Sequence, residues 1–172
     1  MRIVFRRAPR GESIATIHRR DGVVLELPSY SRKHRVPHDL AHAVAEREFD
    51  LSDGVYGSIA SGAVFDNMTV VSGRPRHDAA KRSKEILRAN KKALTVAEIM
   101  AGILHRAVEN PKDFVATAQA RHDWGIVRAE PFPWSDEQVN AAVETLRGLA
   151  DEFDRLGPDE GLDFWWPDRL RS

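Results

Sequence analysis

There is no cysteine among the 172 residues. That excludes a disulfide framework, a thiolate zinc site, an iron–sulfur cluster and a cysteine nucleophile. No apolar run approaches the ~20 residues that a bilayer-spanning helix needs. The opening MRIVFRRAPR is basic but lacks the apolar stretch of ~7–15 residues that marks a secretory signal. These absences predict a cytoplasmic location. There is no phosphate loop, no Rossmann glycine fingerprint and no serine-nucleophile elbow. The glycines of residues 54–62 are not followed by Lys-Ser/Thr, so they read as close helix packing rather than a phosphate cradle.

Net charge is also absent: Lys+Arg and Asp+Glu are both 26. The balance hides a segregation. Residues 1–36 and 74–92 each carry an excess of about six positive charges, and residues 130–168 an excess of about nine negative ones. Such blocks either neutralise one another within the fold or across a dimer, or present a basic face to an anionic partner. The basic segment 74–92 has no interleaved aromatic residue on which a base would stack, so a nucleic-acid partner is not expected. The expected partner is a small molecule or a protein, a second copy of the chain included.

The chain has an ordinary one-domain length. Residues 1–30 read as an antiparallel meander, with strands over Arg2–Arg7, Ser13–Arg19 and Val23–Leu27. Asp21-Gly22 signals a hairpin of type I′. From Pro37 the pattern turns helical. The spacing predicts helices from Pro37, over Gly54–Met68, Asp78–Asn90, Val96–Val108 and Asp113–Arg121, and after Ser135. Thr95-Val96-Ala97-Glu98 and Ser135-Asp136-Glu137-Gln138 both have the form of a capping box. Residues 69–77 read as a connection, and residues 157–172 as a tail docked on the body. The class expected is α+β, a small N-terminal antiparallel β-meander followed by a bundle of four to six helices in a single domain.

The stretch Pro37-His38-Asp39-Leu40-Ala41-His42-Ala43-Val44-Ala45-Glu46 carries the chemistry. On a helix His38, His42 and Glu46 step slowly around one side, while Leu40, Val44 and Leu51 fall opposite. Two imidazoles four residues apart can aim at one ion, and carboxylates complete a mixed nitrogen and oxygen set. A bound Zn²⁺ or another divalent transition metal would lower the pKa of a coordinated water. The expected ligands are His38 and His42 with Glu46 or Asp53, and Asp39 is the base or the partner that orients a histidine. A solvated helix face and a metal-free buried polar network remain open as alternatives. His105 and His18 are further sources of a ligand. The pairs His77-Asp78 and His122-Asp123 read as helix-end residues.

His38-Asp39-Leu40-Ala41-His42 resembles the H-E-x-x-H helix of zinc metalloproteases, with Asp39 in the place of Glu. It is similar to the H-D-x-x-H motif of the ubiquinone-biosynthesis Coq proteins. In those a glutamate follows twelve positions after the second histidine; that place is Gly54 here, one residue after Asp53. The full PHDLxHxxxE pattern also looks like that of a set of uncharacterised bacterial proteins. The resemblance covers between five and seventeen residues, and implies a metal site, with hydrolysis as one activity. The contrasting expectation is a non-enzymatic dimerisation or partner-binding domain in which the cluster is structural.

Overall fold

The computed structural model describes residues 1–8, 11–29 and 34–170. Its first three strands are β1 (Arg2–Arg7), β2 (Ser13–His18) and β3 (Val24–Pro28). Alternation decides which face is buried. Ile3 and Phe5 of β1, Ala15 and Ile17 of β2, and Leu25 and Leu27 of β3 all point into the core. The register aligns them in rows, with Ile17 opposite Ile3 and Leu25, and Ala15 opposite Phe5 and Leu27. The hairpin at Asp21-Gly22 forms, but not as type I′. Only Gly22 has a positive φ (81°), Arg19 N–H bonds the Val23 carbonyl at 3.0 Å, and Gly22 N–H the Arg19 carbonyl at 3.3 Å. That is a three-residue loop with one left-handed glycine, which leaves Asp21 in an ordinary conformation. The Asp21 carboxylate accepts from Val23 N–H at 3.1 Å.

Six α-helices follow among the described residues: α1 (His38–Glu48), α2 (Val55–Ala60), α3 (Ala79–Ala89), α4 (Lys91–Glu109), α5 (Ala116–Val127) and α6 (Asp136–Asp154). The class is α+β. Two more strands complete the sheet: β4 (Thr69–Ser72) between α2 and α3, and β5 (Leu162–Trp165) near the C-terminus. The order is β4-β3-β2-β1-β5, all antiparallel. The meander is therefore only the centre of a five-stranded sheet. Residues 69–77, read as a connection, contain an edge strand whose four residues are all exposed, so no buried alternation marks it. β5 alternates over only four residues, with Leu162 and Phe164 extending the two apolar rows beside Phe5 and Ile3. Beyond it Trp166 N–H bonds the Met1 carbonyl at 2.9 Å.

Three helices differ in extent from the sequence reading. The helix expected over Asp113–Arg121 is α5, which starts at Ala116 and runs on to Val127. The segment 54–68 is not one helix: α2 stops at Ala60, and Gly62 (φ 114°) turns the chain away. α4 starts at Lys91 rather than Val96, so Thr95 lies inside it and its hydroxyl donates back to the Lys91 carbonyl at 3.1 Å. The box at Thr95–Glu98 is not a cap. The box at Ser135–Gln138 is, with Gln138 N–H on Ser135 Oγ at 3.2 Å and Ser135 N–H on Gln138 Oε1 at 2.9 Å.

α1 lies at the centre. It packs on α2, α4 and α6, and every residue from Leu40 to Glu46 is buried. A two-faced amphipathic helix is thus only part of the picture, because the second face is covered as well.

Candidate metal centre

The α1–α4 contact assembles the site. His38 and His42 stand one turn apart on α1, with ring centroids 4.9 Å apart. Glu98 reaches them from α4. His38 Nε2 lies 3.2 Å from Glu98 Oε1, and His42 Nε2 lies 3.0 Å from Glu98 Oε2. Ligand atoms of the three residues all fall within 4.8 Å of one another. Ligands held about 2.0–2.2 Å from one tetrahedral ion are themselves about 3.3–3.6 Å apart, so this spacing is close to a coordination shell. Exposure is graded: the His42 side chain is 5% exposed, His38 37% and Glu98 65%. One wall of the group is core and the other is open to water.

Glu46 sits behind His42, fully buried, with Oε1 3.4 Å from His42 Nδ1. That contact is close but not aligned as a hydrogen bond, and Nδ1 has no hydrogen-bond partner. The carboxylate has another task. Oε1 accepts from Val55 N–H at 2.8 Å, and Oε2 from Tyr56 N–H at 2.9 Å and Gly57 N–H at 3.4 Å. These are the unpaired donors at the start of α2, where a negative charge is favoured. Gly54 leaves room for this approach, since a Cβ there would lie 2.4 Å from Glu46 Cδ. The glycine-rich segment is explained by this backbone approach and by that of Gly57, whose Cβ would meet the Ser52 carbonyl at 1.7 Å.

Burial alone would lower the His42 pKa, but contacts with Glu46 and Glu98 outweigh it and lift it to about 9. The same histidine contacts, that of His38 first, hold Glu98 well below the usual carboxylate range, against a weaker effect of burial. Burial pushes Glu46 up, while His42 and the N–H groups pull it back. Asp39 keeps some exposed surface, yet protein atoms crowd its carboxylate and raise its pKa, with His42 and His38 opposing. The buried Tyr56 hydroxyl has no hydrogen-bond partner; burial pushes its pKa up, as do the charges of Asp39 and Glu46.

The structure therefore brings His38 and His42 together and adds Glu98, which the sequence reading assigned to a cap. Glu46 is adjacent but engaged with α2. Asp53 precedes α2 and accepts from the Ser58 hydroxyl through its backbone carbonyl at 3.4 Å. Neither Glu46 nor Asp53 joins a group of three converging ligand atoms among the described residues. A signal for Glu98 was present but unreadable without the true start of α4. Glu98, His105 and Glu109 are seven and eleven residues apart and so share one stripe of that helix.

A second group lies beside the first: His34, His105 and Glu109, also within 4.8 Å of one another. His105 Nε2–H donates to the Val36 carbonyl at 3.0 Å, and Val36 N–H donates to Glu109 Oε1 at 2.8 Å. Burial lowers the His105 pKa; the Val36 hydrogen bond opposes this, and the neighbouring His38 and His34 add to it. His18 ends β2 and belongs to neither group. Asp78 pairs with Arg76 rather than capping α3, and Asp123 lies inside α5, accepting from Gln119 at 2.7 Å. Comparison with protein-family models, with curated proteins and with solved structures finds no match in any of the three.

Proposed function

We propose that His38, His42 and Glu98 bind a divalent transition metal and that the chain is a metal-dependent hydrolase. The observation that carries this reading is the convergence of two imidazole nitrogens and a carboxylate at 3.0–3.2 Å, on two different helices, at a partly open surface. Two nitrogens and one oxygen suit Zn²⁺ or a neighbouring first-row divalent ion. Three protein ligands leave a position for water, which such an ion activates near neutral pH. Glu46 Oε1 lies 3.4 Å behind His42 Nδ1, the side from which a carboxylate commonly supports a ligating imidazole, and there it acts through its charge rather than through an aligned hydrogen bond. Asp39, with its raised pKa beside the histidines, suits the base that takes the proton of that water.

The test is thermal. Tag-free protein, stripped with chelator, is melted with and without Zn²⁺, Mn²⁺ or Fe²⁺. At about 100 times Kd the ion contributes about 2.7 kcal/mol, a rise in Tm of roughly 5–10 °C for this size. Glu98→Ala, at an exposed position, removes the part of the rise that this site supplies, without emptying the core. Asp39→Asn keeps the rise and loses hydrolysis of activated esters. If no ion moves the Tm of the parent protein, the metal reading is wrong.

A second reading is favoured by one observation: Glu46 joins α1 to α2 while His42 joins α1 to α4. The cluster is then a structural network in a partner-binding domain, and that result of the thermal test supports it.

A further inference from the structure

We propose a second divalent transition-metal site, formed by His34, His105 and Glu109 beside the first. It stands on its own residues and does not require the first site to bind. His105 and Glu109 are one turn apart on α4, and both are held by the same residue. The Val36 carbonyl accepts a hydrogen bond from His105 Nε2–H at 3.0 Å, and Val36 N–H donates to Glu109 Oε1 at 2.8 Å. This fixes the tautomer of His105, leaving the lone pair on Nδ1, and leaves the second oxygen of Glu109 without that bond. Ligating imidazoles characteristically give their remaining N–H to a carbonyl or carboxylate; here the carbonyl is already in place. Val36 is 1% exposed, so the clamp is anchored in the core.

His34 closes the group from the segment that leads into α1. Its ring meets that of His105 edge to face, 4.8 Å between centroids. It is exposed, so the group is reachable from solvent. The two groups adjoin: His38 and His105 have ring centroids 5.5 Å apart. Each nevertheless has its own pair of imidazoles and its own carboxylate from α4. The two carboxylates, Glu98 and Glu109, are separated by eleven residues, about 16 Å of helix rise, and fall in different groups of converging ligand atoms. Two imidazoles and a carboxylate select a borderline ion such as Zn²⁺ or Co²⁺ over Ca²⁺ or Mg²⁺, which prefer all-oxygen shells.

The test is a Co²⁺ titration of the chelator-stripped full chain, followed by visible absorption and by equilibrium dialysis. The wild-type protein is expected to take two equivalents and His34→Ala one. His34 is exposed and outside the Val36 clamp, so this variant keeps its fold, which circular dichroism checks. Glu98→Ala reports on the other site. If Glu98→Ala changes nothing while His34→Ala loses an equivalent, the second site stands and the reading of the first fails. Retention in His34→Ala of all the Co²⁺ that the wild type binds overturns the second site, as does a single equivalent that needs both His34 and Glu98. No binding at all overturns both.

Discussion

Gly54 shows how much a single residue can decide. Its φ of −72° suits any residue, so the demand is for space and not for conformation. A Cβ would meet the buried Glu46 carboxylate at 2.4–2.5 Å. Gly54→Ala is therefore expected to push that carboxylate off the three N–H groups it accepts from, at a cost of about 2–4 kcal/mol. Urea denaturation reads the cost as a lower midpoint; an unchanged midpoint would remove the capping role. His42 makes a second prediction at this scale. Its pKa is about 9 in the fold against the ordinary 6.5, so the folded state favours the protonated ring. The stabilisation is complete below pH 6.5 and disappears as pH rises through about 9. The metal-free protein is expected to lose stability between those values, with a shallower loss in His42→Gln. Identical pH profiles for the two proteins would contradict the assignment. Glu98 is bound to the opposite sign, helping above its ordinary pKa and less in acid, but it is 65% exposed and water screens it.

At the scale of elements, legibility followed the amount of local information. α6 carries Val139, Ala142, Val143, Leu146, Ala150 and Phe153 on one buried face, behind a complete capping box. Ser135→Ala should cost about 1 kcal/mol, a fall of roughly 2–4 °C in Tm that a scan detects; no change would mean the box is idle. The same four-residue pattern at Thr95–Glu98 misleads, because the helix already runs from Lys91 and a box works only at a true end. Propensity does not mark that start: Asn90 both ends α3 and begins α4, and its side chain donates to Ser58 Oγ on α2 at 3.1 Å. A tertiary contact fixes the break. β4 and β5 escaped for a related reason. Four-residue edge strands acquire their pairing from β3 and β1, not from their own sequences.

At the scale of the molecule, the charge segregation resolves partly inside the fold. Basic residues of the N-terminal third pair with acids of the C-terminal third: Arg2 with Asp163, Arg7 with Asp154, Arg20 with Asp168, Arg35 with Asp151. Pairs this exposed contribute little stability each, but they lie where β5 and α6 return to the sheet and to α1. The segment 74–92 is different: Arg76 and Lys81 pair locally, with Asp78 and Glu85. A cavity lined by Arg19, Arg20, Arg76 and Arg82 gathers four guanidinium groups, yet Asp21, Asp168, Asp78 and the Ser61 carbonyl already answer them. No helix among the described residues is long and apolar enough to cross a membrane.

The amino-acid order by itself determined the α+β class, the central meander, the best-capped helix and the pairing of His38 with His42. Each of these rests on residues no more than a few positions apart, where strand alternation or helical periodicity is the governing geometry. Only the tertiary structure decided that Glu98 completes the pair, that Glu46 turns to α2, and that His34, His105 and Glu109 meet. Glu98 is 60 and 56 residues from His38 and His42, and His34 is far in sequence from His105 and Glu109, so only the packing of α1 and the segment before it on α4 brings them together; Glu46 meets α2 across a short loop whose path the local pattern does not show.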